Sequence, residues 1–559
     1  MLLMPQSTHG AGYVDVDRLS TGYRPYLLLS LLCLFLYLPG LANVPPLDRD
    51  ESRFVQATRQ MLETGDFVRI QFQKEMRAKK PVGAYWLQAA SVSAFSTPSS
   101  RELWPYRLPS ALSAFAAVLM TFAFGRHLFG RPTALMGAAL LASCLILVSE
   151  AHQGKTDAIL LATVVAAQGA LGRFYMAARG RAAPPGILVA LAFWVAIGVS
   201  ILVKGPVVPA ITLLTIAALV IADRQAAWLV GLRPFFGVMV AASVAAPWFV
   251  AISQATGGAF LGEAVKGDLL PKLLGAQESH GGLPGTYLAL AAVTLWPGSL
   301  LLWPALIRSW RERLVPEVRF CLAWIIPAWI MFELVPTKLP HYVLPTFPAI
   351  ALLLAAAVTA AAAVLSSRGA RIWYGVWCLV GLVLAAAVII APMQFGAGFA
   401  LISVPSAAFI AGTTLMASWL AFKGRFRAVI VALVVTAVTA FQVVFEGVLP
   451  QLDALWLSRA TAALVAERPH KGAVVVAGYA EPSLVFLLGT DTVLGSGADA
   501  ADHLRLGPTA LVLVADREEE AFLAASVANN VRPVVVGMVK GFNYSRGKPV
   551  RLTAFAVEG

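Results

Sequence analysis

Long apolar runs separated by short polar breaks fill the first four-fifths of the chain. Runs able to cross ~30 Å of hydrocarbon begin near Tyr26, Leu108, Ala134, Ile159, Ile187, Val207, Phe236, Tyr287, Phe320, Val343, Ile372, Ala400 and Ala428. The pattern predicts a polytopic α-helical membrane protein of about thirteen spans. It changes near Leu449. GAVVVAGYAEPSLVFLLGT reads as strand, turn and helix, TALVLVADREEEAFLAASV reads the same way, and VRPVVVGMV adds a strand. The expected division is a cytoplasmic N-terminus at 1–24, a membrane unit at 25–448 and a small soluble α/β unit at 449–559. An odd span count puts that last unit on the periplasmic side. The first apolar run lacks a small-residue cleavage site before its charged exit, so it reads as a retained span.

The polar breaks are of two kinds. One kind is plainly basic, with Arg126 and Arg131, Arg173, Arg179 and Arg181, Arg224 and Arg233, Arg308 to Arg319, Arg368 and Arg371, and Lys423 to Arg427. These alternate along the chain, and the positive-inside rule assigns them to the cytoplasm as topology and nothing more. The other kind mixes acids, bases, His and Pro: LDRDESRF, KEMRAKKP, EAHQGKTD, LVKGP, EAVKGDLLPK and VPTKLPHY. Orientation gives no reason for charge on that side, so these segments are a functional-site expectation. Two of the loops on this side are long, 45–106 and 254–285.

Composition agrees. Of 559 residues 58% are hydrophobic and 13% charged, against about 25% charged in soluble domains. The net charge of +13 is accounted for by the basic loops, so it does not call for a nucleic-acid partner. Cys33, Cys144, Cys321 and Cys378 all lie in apolar runs, which argues against a disulfide framework or a metal knuckle. No Walker loop, HExxH, GxSxG or dinucleotide fingerprint is present, so neither ATP nor a nicotinamide cofactor is expected.

Asp50 and Glu51 open a helix, DESRFVQATRQMLETGDF, that Gly65 can end in the left-handed conformation. Phe54, Thr58, Met61 and Leu62 fall near one side and Arg53, Gln56, Arg59, Gln60 and Glu63 mostly on the other. Such a helix suits the interface plane, with its apolar side in lipid. Adjacent helical residues point about 100° apart. One carboxylate then suits a general base in a cavity and the other the helix dipole, unless both are simply helix-opening acids. In RAKKPVGAYW, Arg77, Lys79 and Lys80 precede a short helix with Pro81 as its expected first residue. A lysine there suits a lipid phosphate, or merely snorkels to the headgroups. Lys204 ends a span against the orientation bias and has the same two readings. In PTKLPHYVLP, three prolines prevent a regular helix and hold Lys338, His341 and Tyr342 at the start of a span. Irregular backbone at that depth requires protein cover or a wet cavity, and these side chains suit a phosphate or pyrophosphate. His152, Lys155 and Asp157 in EAHQGKTD form a weaker group of the same kind.

Together, a first span followed by DExRF, then KKP, KGP and KLPHYxLP resemble the GT-C glycosyltransferases. The nearest group within them is the protein-mannosyltransferase-like one, with the lipid A aminoarabinose transferases. The resemblance covers roughly residues 25 to 450. It implies a polyprenyl-phosphate sugar donor, a periplasmic acceptor such as lipid A or lipopolysaccharide core, membrane lipids as surroundings, and the bacterial inner membrane as location. It implies chemistry at Asp50 with Arg53 beside it, phosphate contact at Lys80, and a carrier-phosphate segment at Lys338, His341 and Tyr342. No motif requires a cofactor, though a divalent cation fits the group. Lys79 stands where the aminoarabinose enzymes usually have Glu, which removes a carboxylate from a metal position and adds a cation suited to an acidic sugar or a phosphate-rich acceptor. A protein O-mannosyltransferase shares the donor chemistry. A lipid or sugar transporter shares the spans and charges, but inverted repeats are absent and the unusual charge is confined to one face.

Overall fold

The computed structural model describes residues 16–271, 275, 281–359, 362–398 and 401–557. Part of the second long loop, including Lys272, and most of the expected N-terminal segment lie outside the described residues.

Each of the expected span starts that is described falls in or next to a helical segment. Eight described helices are long and apolar enough to cross a membrane, and ten spans result if each of two bent pairs counts as one. The bent pairs are Arg131–Ala142 with Leu145–Ala151, at 61°, and Thr286–Thr294 with Gly298–Arg311, at 116°. Sequence periodicity shows neither break. The structure satisfies the freed backbone groups by pairing one break with the other: Leu145 N–H donates to Trp296 O (2.8 Å) and Cys144 Sγ–H to Thr294 O (2.9 Å). That is how non-helical backbone survives at membrane depth. Large apolar side chains such as Leu188, Ile221 and Phe235 remain exposed on the helix flanks, where hydrocarbon suits them better than water. At one end of the bundle the basic loops gather round buried Asp223, which pairs with Arg179 and Arg319 and accepts from Tyr175 Oη at 2.9 Å.

The C-terminal part is a five-stranded sheet in the order β4-β3-β5-β7-β6. The strands are β3 (Val475–Ala477), β4 (Val493–Gly495), β5 (Val512–Ala515), β6 (Pro533–Asn543) and β7 (Lys548–Val557), numbered after a small hairpin of β1 (Gln71–Phe72) and β2 (Glu75–Met76). β3 pairs in parallel with β4 and β5 through crossover helices, and β6 and β7 form an antiparallel hairpin on β5. The helices Leu457–Ala466, Pro482–Leu488, Gly497–His503 and Glu519–Ala528 accompany the sheet. The buried Val475, Val476, Leu513 and Val514 make β3 and β5 apolar on both faces, as parallel central strands require.

The helix Asp50–Thr64 ends at Gly65 with φ +69°, as its sequence predicts. Its surroundings differ from the expectation of an apolar side in lipid. Phe54 stacks on Tyr85 of the helix Gly83–Phe95, ring centroids 4.9 Å apart. The opposite, polar side is covered too. Gln56 Nε2 donates to Thr490 Oγ1 (2.8 Å), Arg59 Nη1 to Phe486 O (2.9 Å), and Thr490 Oγ1 to Glu63 Oε2 (2.7 Å). The helix is thus enclosed between the bundle and the C-terminal sheet. Its polar face is a docking face, which amphipathicity alone does not distinguish from a solvated one. The KKP helix begins at Gly83, two residues later than expected.

Candidate active site

Asp50 is the first residue of its helix and is open to solvent. Three cations, Lys155, Arg77 and Lys80, and the His341 imidazole lie within electrostatic reach of it. Desolvation pushes its carboxyl up, but Lys155 foremost, then Arg77, His341 and Lys80, outweigh that and hold it below the ordinary 3.8. The residue is therefore ionised at neutral pH. These groups lie from 27 positions (Arg77) to 291 positions (His341) beyond Asp50 in sequence. Arg77 is buried, donates Nε to Tyr85 Oη (3.1 Å), and lies over the Phe54 ring. Lys80 is half-buried and donates to Lys79 O (2.9 Å), whereas the Lys79 side chain is exposed. Arg53 is half-buried on the next position of the helix face.

Behind Asp50 lies a second layer of charge. Lys155 Nζ meets Glu150 Oε1 at 3.0 Å and Asp157 Oδ2 at 3.9 Å, and Lys204 Nζ meets Asp157 Oδ1 at 2.5 Å. His341 bridges the two acids, with Nδ1 3.5 Å from Glu150 and Nε2 3.7 Å from Asp157. The Lys155 ammonium loses by desolvation but is pushed up by Glu150, Asp157 and Asp50, so it stays charged. Lys204 also lies over the Tyr342 ring, 5.3 Å from its centroid. His341 and Tyr342 sit in the tight turn Pro340–Thr346 that the prolines force before the helix Phe347–Ala357. The sequence-predicted residues Asp50, Arg77, Lys80, Lys155, Asp157, Lys204, His341 and Tyr342 are therefore brought to one region.

Three others are placed differently. Glu51 is wholly buried in a two-point pair with Arg107, Oε1–Nε 2.8 Å and Oε2–Nη2 2.9 Å. It also accepts from Leu47 N–H (3.0 Å) and Gly154 N–H (2.7 Å). Both its oxygens are taken, so it binds the first loop, the fifty-first position's own helix and the EAHQGKTD turn together. Gly154 is closely packed there, since a Cβ would lie 3.1 Å from Val55 and Gln88 side-chain atoms and 3.2 Å from Tyr106 O. His152 faces the carbonyls of Val148 and Pro39, both at 2.7 Å, and stacks on Phe445. Lys338 Nζ donates to the carbonyls of Glu333 (2.6 Å) and Val335 (2.9 Å), closing the end of the helix Pro316–Leu334.

Two residues escaped the sequence reading. Arg107 stands near the start of the helix Trp104–Phe129, at the same end of the bundle as Lys204, and the rule that singled out Lys204 applies to it equally. Glu150, inside the quoted EAHQGKTD, carries charge at the end of an apolar run. Among the described residues no three His, Cys, Asp or Glu side chains form a group able to hold a metal ion. Glu150, Asp157 and His341 come nearest, and the ammonium groups of Lys155 and Lys204 stand among them.

This arrangement of spans, charged first loop and C-terminal sheet has the same fold as a solved multispan protein. The structure of ArnT from Cupriavidus metallidurans superposes with a TM-score of 0.72 at 18% identity, covering 95% of this chain and 97% of that one. The same protein bound to undecaprenyl phosphate matches equally, over 96% and 98%. The family of dolichyl-phosphate-mannose-protein mannosyltransferases matches residues 24–258. An undecaprenyl phosphate-alpha-4-amino-4-deoxy-L-arabinose arabinosyl transferase of Aeromonas hydrophila is 28% identical over 59% of each chain. That of Yersinia enterocolitica is 25% identical over 66% of this chain and 65% of its own. The chain thus spans about three-fifths of the length of the curated relatives it matches.

Proposed function

We propose that this protein is a membrane glycosyltransferase that moves a sugar from a polyprenyl phosphate to an acceptor on the periplasmic side of the inner membrane, with lipid A or lipopolysaccharide core as the acceptor. The reading takes about thirteen spans, the membrane unit at 25–448 and a periplasmic α/β unit at 449–559. One observation carries it: a solvent-open, ionised Asp50 set among cations drawn from separate loops. The relatives' names, which refer to undecaprenyl phosphate and to arabinosyl transfer, agree with it.

The reaction is a single displacement. An acceptor oxygen attacks the anomeric carbon, and the carbon–oxygen bond to the polyprenyl phosphate breaks with its electron pair leaving on phosphate. Lys80, Arg77 and Lys155 stabilise that charge, and cations already fixed in place do so without reorganising. If the acceptor is a hydroxyl, Asp50 takes its proton. If it is a phosphate, the nucleophile is already ionised and Asp50 orients it or the sugar. Lys204, Asp157, Glu150 and His341 fix Lys155 in place. Glu51 belongs to the loop's support in this reading, and Lys338 to a helix end.

Mass spectrometry of lipid A and core from a deletion strain tests this. Complementation with the wild-type gene should restore one sugar mass, and Asp50→Asn should not, a loss of about 10²–10⁴ in rate if Asp50 is the base. An unchanged lipid profile in the deletion strain would reject the lipopolysaccharide acceptor and direct the search to periplasmic glycoproteins.

A further inference from the structure

Arg49, the residue before Asp50, has φ +67° and ψ −102°. That conformation is open to glycine and costly for a side-chain-bearing residue, on the order of 1–3 kcal/mol. It persists only where its surroundings impose it, and here the surroundings are the turn of the β6–β7 hairpin. Asp48 N–H donates to Tyr544 Oη (2.6 Å), Arg49 Nη2 donates to Ser545 O (2.7 Å), and Ser483 Oγ donates to the Asp48 carboxylate. The turn is itself braced. Asn543 Nδ2 donates to Glu481 Oε1 (2.8 Å), and Arg546 N–H closes onto Asn543 O (3.1 Å). On the inner side, Glu51 and Ser52 hold Leu47. The loop is thus gripped from within by the bundle and from without by a hairpin almost five hundred residues away in sequence.

We infer that the C-terminal α/β unit is the positioning device of the active site, and that Tyr544 is a positioning residue that keeps Arg49 strained and thereby aims Asp50. Resting on the transferase reading, this gives the C-terminal unit a role in catalysis. Without the tyrosine hydroxyl, Arg49 relaxes toward negative φ and swings Asp50 away from the cations around it. With glycine at position 49 the strained conformer costs little, so the hairpin has less to enforce.

The test is a double-mutant cycle on the full-length enzyme with Tyr544→Phe, Arg49→Gly and both together. Tyr544→Phe should lower kcat about five-fold, the kinetic size of one hydrogen bond, with KM for the lipid donor unchanged. In the Arg49→Gly background the same change should cost less than about two-fold. Hydrogen exchange of the 47–52 segment provides a readout that does not depend on activity. Tyr544→Phe should speed it about five-fold while β3 and β5 keep their protection. Equal losses in both backgrounds, unchanged exchange at 47–52, or loosening of the whole sheet would overturn the inference. If the wild type transfers no sugar, the function reading fails, and the exchange result alone still decides whether the hairpin holds the loop.

Discussion

At the scale of single residues, Asp50 and Glu51 show how adjacent carboxylates take opposite tasks. Asp50 is held below its ordinary 3.8 because the charge of Lys155, then of Arg77 and Lys80, outweighs desolvation. A depressed carboxyl is fully ionised above its ordinary value and is lost only as pH falls through the lowered one. The transfer rate should therefore show no acid limb from Asp50 between about pH 5 and 8. Lys155→Met removes the largest of those charges and should move the acid limb toward neutrality, readable in a kcat/KM profile. A limb near pH 6 in the wild type would mean the cations do not act on Asp50 as described. Glu51 instead shares a buried pair with Arg107, which also donates to the carbonyls of Leu41, Val44 and Pro45. Arg107→Leu leaves a buried carboxylate unpaired and should cost about 3–5 kcal/mol, seen as a fall in Tm in detergent. Glu51→Gln keeps the shape and most hydrogen bonds and should cost clearly less; equal losses would show that the pair is not the main support.

At the scale of elements, the contact between the first loop and the C-terminal sheet has its own pH dependence. Desolvation pushes the Asp48 carboxyl up to about 7, aided by Glu481, while the hydrogen bonds of Ser483 and Tyr544 oppose the rise. Because the folded value lies above the unfolded 3.8, this group's stabilisation is complete below 3.8 and is lost as pH rises through about 7. Asp48→Asn mimics the neutral form. Its Tm should match the wild type near pH 4 and exceed it near pH 8, and a constant difference across that range would contradict the burial of this carboxyl. The same contact marks where sequence reasoning stops. Gly65 as a helix end, the proline-forced turn at His341, and β3, β5 and β6 were readable, because each depends on a few neighbouring residues. β4 and β7 were not, since VLG is too short to show a period and the KPVRLTAFAV strand lacks strict alternation. The docking of Gln56, Arg59 and Glu63 on Phe486 and Thr490 was unreadable for another reason: its partners lie more than 420 positions away, and local pattern carries no information about them.

At the scale of the whole molecule, orientation in the membrane joins the two halves of the proposal, since a base at Asp50 and a brace at Tyr544 must share one compartment. The hydrogen bonds between Asp48 and Tyr544 and between Arg49 and Ser545 already require it. Cysteine labelling tests that compartment's identity with little background, because Cys33, Cys144 and Cys321 are buried and Cys378 is half-buried. Ser99, in the first long loop, and Glu520, on the C-terminal sheet's outer helix, are exposed, as are Arg181 and Lys423 in two basic loops. With cysteine placed at each in turn, a maleimide that cannot cross the inner membrane should label Ser99→Cys and Glu520→Cys in intact cells. Arg181→Cys and Lys423→Cys should react only after permeabilisation. This pattern is what the positive-inside rule expects of the basic loops, and the reading of Asp50, Arg77 and Lys80 as a site rests on their lying on the side opposite those loops. Labelling of Ser99→Cys and Lys423→Cys together in intact cells would break both arguments at once. Labelling of Ser99→Cys without Glu520→Cys would separate the sheet from the loop it grips, and with it the positioning of Asp50.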